Sequence, residues 1–162
     1  MKKVLDFYLN NALFFDGIFI IGIWFVNSYF SFFDFKIADK NDNLEVISDM
    51  VSASISLAGF ILASLTVIAS IRSNITNRAP DAARNPLEMF FSDQNYNRIV
   101  QVFREAIIEL VLIFVFSYIT WISQENFDNY TLLKWIIVAV LIIFLSVSRT
   151  LLVLFTIIKI DK

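Results

Sequence analysis

The sequence contains no cysteine and no histidine. Those absences remove thiol nucleophiles, disulfides, Cys-X-X-Cys redox pairs, histidine metal sites and histidine acid–base catalysis together. Glycine (3) and proline (2) are scarce, and Gly17, Gly22 and Gly59 all stand inside apolar runs. A glycine-rich phosphate loop is therefore excluded, and no GxSxG, HExxH or DxD pattern occurs. Paired carboxylates such as Asp39 and Asp42 lie in a polar connection, where a solvated face is the expected role. Charged residues make up 17 % of the chain, against roughly a quarter in soluble domains. The net charge of −2 offers no overall attraction to nucleic acid. No enzymatic activity and no cofactor is expected from these residues.

What is present is apolar. Hydrophobic residues reach 58 %, phenylalanine alone numbers 18, and mean hydropathy is +0.71. That balance excludes both an ordinary soluble globule and a disordered chain. It points to an all-α polytopic membrane protein. A bilayer core takes about 20 apolar residues of helix, and four segments qualify: 12–33, 50–71, 105–123 and 133–158. Backbone groups in lipid must be bonded within their own segment, which makes these runs helices. The first run is too long for a signal core and lacks a small-x-small cleavage site, so it reads as a retained span.

Lysine and arginine set the orientation. Lys2 and Lys3 precede the first span, Arg72, Arg78, Arg84, Arg98 and Arg104 follow the second, and Lys159 and Lys162 end the chain. With the N-terminus inside, nine basic residues are cytoplasmic and three (Lys36, Lys40 and Lys134) are outside. Both termini and the 72–104 loop are thus expected on the cytoplasmic side of an inner membrane. Trp121, Tyr130 and Trp135 then bracket the outer ends of the last two spans. The outer connections, including Asp34 to Asp49, read as loops. Within the cytoplasmic loop, 73–85 is polar and turn-like. From Asp93, behind a potential Ser92 cap, an apolar pattern continues into the third span without glycine or proline. One helix from Asp93 to about Ser123 is expected. Residues 2–11 mix charge with apolar side chains and read as an interfacial or leading helix.

Three constellations are candidates for function. In the second span, Ser52, Ser56, Gly59, Ala63, Thr66 and Ser70 recur at spacings of four and three. That period places all six on one helical face. Small residues let helix backbones approach closely, and hydroxyls bond across such contacts. Small hydroxyl residues also line wetted paths for ions. Both readings, packing face and pore lining, stand at this point. Second, Asp16, Glu109 and Arg149 are charges within spans, and an intramembrane charge must face protein or water. An Arg149–Glu109 or Arg149–Asp16 ion pair is expected, as a structural pair or as part of a charged ring at an inner mouth. Third, the loop arginines Arg72, Arg78, Arg84, Arg98 and Arg104 are positive-inside determinants. Arginine's planar fork also fits phosphate, on a nucleotide, an oligonucleotide or a lipid headgroup.

The order of parts, the stretch SLAGFILASLTVIASI at 56–71 and the arginine-bearing loop behind it resemble small four-helix membrane effectors of bacterial antiphage defence systems, of the Hailong channel-effector and Kiwa membrane-subunit kinds. The resemblance covers the layout of the chain and about 16 residues of sequence. It implies a homo-oligomer, often a tetramer, that responds to a nucleotide or a partner protein and perturbs the membrane. The expected function is a homo-oligomeric channel or membrane-perturbing effector. The alternatives are a non-conducting scaffold that docks a cytoplasmic partner protein and, less well matched, a small proton-coupled transporter.

Overall fold

The computed structural model describes residues 12–30, 39–74 and 93–160. Among them are four α-helices and no strand: α1 (Ala12–Phe30), α2 (Lys40–Asn74), α3 (Asp93–Ile122) and α4 (Asn129–Ile160). The protein is all-α, as composition and periodicity lead one to expect. The N-terminal segment 2–11, the polar half-loop around Arg78 and Arg84, and residues 31–33 of the first expected span lie outside the described residues.

The helices pack as a three-helix core of α2, α3 and α4, with α1 laid more lightly against α3 and α4. One apolar cluster joins Ala58, Ile61 and Ile68 of α2 to Ile99, Phe103, Ala106 and Leu110 of α3, with Val153 and Leu154 of α4 against them. A second joins Met50, Ile113 and Ala139 near the other end. Early α2 meets early α4, and late α2 meets late α4, so these two helices run the same way. The side chains of Asn43 and Asn129 hydrogen-bond at their shared starting end. α3 runs back between them. It joins α4 through a short connection containing a 3-10 turn (Gln124–Asn126). Asp128 caps α4: its carboxylate accepts from the Thr131 backbone N–H at 3.3 Å and from the Thr131 hydroxyl.

One feature of the sequence reading changes. The segment from Lys40 to Asp49, expected as outer loop, is the first part of α2, which has 35 residues and spans about 52 Å. Its charges hide a helical face: Asn43, Ile47, Met50 and Ser54 recur at spacings of four, three and four, and all are buried. Trp135, expected at an outer span end, packs against the bundle. It packs on the second cluster and its indole N–H donates to Ser117 Oγ at 3.2 Å. The helix expected from Asp93 to about Ser123 is present: α3 starts at Asp93 and ends at Ile122.

Two helical stretches are long and apolar enough to cross a membrane, Lys40–Ser73 and Asn129–Phe155. The outer surface of the bundle is rich in large apolar side chains. Phe14, Ile21 and Phe25 of α1, Phe60 and Val67 of α2, Phe116 and Ile122 of α3, and Phe144 and Phe155 of α4 are all more than half exposed. So many exposed large apolar side chains are unusual on a soluble monomer.

A buried charge cluster and an exposed small-residue face

Three helices deliver the charges Asp16, Glu109 and Arg149 to one point. Arg149 of α4 donates from Nη1 to Asp16 Oδ2 of α1 at 3.0 Å and from Nη2 to Glu109 Oε2 of α3 at 2.9 Å. Both expected pairs form at once, on the two prongs of a single guanidinium, which is what arginine's fork is built to do. Ser146, three residues before Arg149 and so on the same face of α4, donates its hydroxyl to the same Glu109 oxygen. The sequence reading missed Ser146. Its position at i−3 from an arginine in an apolar run was the available signal. All four residues are buried, Arg149 to 2 % exposure. The charges lie inside one chain, between its own helices.

The six small residues of α2 occupy the opposite situation. Ser52, Ser56, Gly59, Ala63, Thr66 and Ser70 are every one exposed. The core-facing residues of α2, such as Ser54, Ala58, Ile61 and Ile68, lie about half a turn away from them around the helix axis. The exposed stripe is flanked by Ile55 and Leu62 on one side and by Phe60 and Val67 on the other, all more than half exposed. It is the floor of a shallow groove between two ridges of large side chains. A β-carbon added to Gly59 would meet nothing within 4 Å. Three hydroxyls of the stripe bond within their own helix. Ser52, Ser56 and Thr66 donate to the carbonyl oxygens of Ser48, Ser52 and Leu62 in their own helix, at 3.3, 2.8 and 3.0 Å. Each donor is satisfied locally, and the oxygen lone pairs remain on the outward side.

The arginines divide. Arg72, at the end of α2, lies over the ring of Tyr96 near the start of α3, its guanidinium carbon 3.8 Å from the ring centroid. That contact pins the two helix ends together. Arg98 is half-buried and Arg104 exposed, both on α3. Arg78 and Arg84 lie outside the described residues, so the five are not brought to one site by what is described. Among the described residues no group of three or more acidic side chains is placed to hold a metal ion.

No protein family, no curated protein and no solved structure matches this chain. The functional reading therefore rests on the residues themselves.

Proposed function

We propose that the chain is a multi-pass membrane protein that assembles with copies of itself into an ion-conducting channel, with the small-residue face of α2 lining the path. The observation that carries this reading is the position of that face. Six small residues, three of them hydroxyl donors already satisfied, sit on the outside of the chain between ridges of large apolar side chains. A lone chain has no use for such a groove in lipid. Ringed copies turn these outward faces, one from each chain, into one inner surface, where hydroxyl oxygens present lone pairs to water and cations.

The membrane placement has its own argument. α2 and α4 run in the same direction and are each apolar enough to cross. A chain that crosses twice in one direction must return between the crossings, and α3 is the element that does so. α1, with its exposed Phe14, Ile18, Phe19, Ile21 and Phe25, supplies a fourth crossing. An N-in, C-in arrangement in an inner membrane follows from the basic residues. The buried trio then holds the crossings together and leaves the path to α2. Gating by a cytoplasmic nucleotide or partner, with a role in antiphage defence, extends this reading on the strength of the sequence resemblance.

A second reading has specific support. Hydroxyls bonded to their own helix need no water, and a groove between ridges accepts a neighbouring helix as readily as an ion path. On that reading the oligomer is a closed scaffold. Bilayer recordings of the purified protein separate the two. Discrete conductance steps that vanish in Ser56→Leu and Thr66→Leu, with assembly intact, support the channel. A silent bilayer, or conductance unchanged in both variants, rejects the pore lining.

A further inference from the structure

The bundle interior holds an acidic group that the proposed conduction path does not use. Glu109 is buried, and both donors that reach it, Arg149 Nη2 and Ser146 Oγ, converge on the same oxygen, Oε2. Its other oxygen, Oε1, is buried with no hydrogen-bond partner. The guanidinium that Glu109 faces is shared with Asp16. Among the described residues, the trio sets two carboxyl groups against one cation. With both acids ionised it would carry a surplus negative charge where water cannot solvate it.

A carboxylic acid and a carboxylate differ in their hydrogen bonding. In the acid, one oxygen is a carbonyl acceptor and the other carries the proton. One oxygen crowded by two donors beside one that receives none is the pattern of the acid. We infer that Glu109 is a proton-binding site in the membrane interior, with its proton on Oε1, and that Asp16 is the counter-ion of Arg149. The trio is then neutral.

The surroundings of Glu109 supply no competing charge from α2, which has none between Met50 and Ile71. α1 brings Asp16, α4 brings Arg149 and Ser146, and α3 itself has Glu105 one turn earlier, bonded to Gln101 at 2.9 Å. Release of the proton makes Glu109 compete with Asp16 for the guanidinium. Asp16 is a polar tie between the lightly packed α1 and the other helices, so proton release loosens α1. The inference rests on the bundle being membrane-embedded and not on whether it conducts.

Infrared spectroscopy of the full-length protein in lipid vesicles at neutral pH tests it. The expected result is a carbonyl stretch of a protonated carboxyl group that shifts when the protein is grown on isotope-labelled glutamate and does not shift with labelled aspartate. The band disappears in Glu109→Gln. It also disappears in Asp16→Asn, where Glu109 must ionise to balance Arg149. Absence of the band, a band that follows the aspartate label, or its persistence in either variant overturns the assignment. So does an absent band together with a melting temperature that rises with sodium, which would make a metal cation the neutralising charge. The isotope arms need no substitution, so a variant that fails to assemble leaves them decisive, and none of these readouts depends on ion flux.

Discussion

Ser54 and Ser56 stand two residues apart on α2 and meet opposite surroundings. Ser54 is fully buried against the other helices, while Ser56 faces outward from the bundle. Both hydroxyls do the same thing locally, donating to the carbonyl four residues back, Met50 and Ser52 respectively. The same contrast holds at larger scale. Inside, Asp16, Glu109, Arg149 and Ser146 pair with one another within one chain. Outside, the stripe from Ser52 to Ser70 is left without a covering helix. Polar groups that a chain pairs by itself are part of how it folds. A small-residue face left bare in an apolar surface is where the chain needs something else, and assembly with its own copies is the occupant we propose.

The largest expected break comes from the inner set. Arg149→Leu leaves two carboxyl groups facing each other without a cation, and loss of one partner from a buried ion pair costs about 3–5 kcal/mol. Thermal unfolding in detergent should show a marked drop or a failure to assemble. An unchanged melting temperature would mean that the trio contributes little to the fold.

The sharpest comparison applies one substitution to both faces. Ser54→Leu overfills a packed site and should destabilise the chain by about 1–3 kcal/mol. Ser56→Leu should change the stability of the isolated chain by no more than about 0.5 kcal/mol, as exposed substitutions do, while abolishing flux. Equal losses of stability in both variants would erase the distinction between the faces.

A smaller effect is expected at Gly59, where an added β-carbon meets open space. Gly59→Ala should leave the melting temperature of the isolated chain unchanged or raise it, since alanine favours helix by up to about 1 kcal/mol. Any loss should appear only in the assembly, read by cross-linking.

The smallest effect belongs to the turn between α3 and α4. The hydrogen bond from the Thr131 hydroxyl to Asp128, with help from backbone N–H groups, holds the Asp128 carboxyl below the ordinary aspartate range. A carboxyl lowered on folding contributes stability that is complete above its unfolded value and fades as pH falls through its folded value. Wild type should therefore lose a little stability on acidification that Asp128→Asn does not lose. Parallel acid titrations of the two would contradict the capping role.

Much of this was legible in the sequence, for identifiable reasons. The start of α3 at Asp93 could be read because apolar periodicity runs unbroken from there into the span. The partners of Arg149 could be read because charges within the apolar runs are few and costly when buried alone. The start of α2 was hidden because Lys40, Asp42, Glu45 and Asp49 resemble a solvated loop, although Asn43, Ile47, Met50 and Ser54 already carry the helical spacing. Which way Trp135 turns depends on Ser117 of a different helix, and one segment's pattern cannot contain that. The same holds for the stripe on α2. Spacing gathers its six residues on one face, and only the packing of α3 and α4 on the other side reveals that the face is bare.

Because the chain has no cysteine, single cysteines can report on that face without a background. The decisive measurement is modification by a membrane-impermeant thiol reagent of Ser56→Cys, Ala63→Cys and Thr66→Cys in vesicles, with Phe60→Cys and Val67→Cys as ridge controls and ion flux recorded in parallel. A water-filled path lined by α2 predicts that the three stripe positions react and that flux falls as they do, while the ridge positions stay unreacted. Stripe positions that resist the reagent in a protein that still conducts would place the path elsewhere and contradict the account.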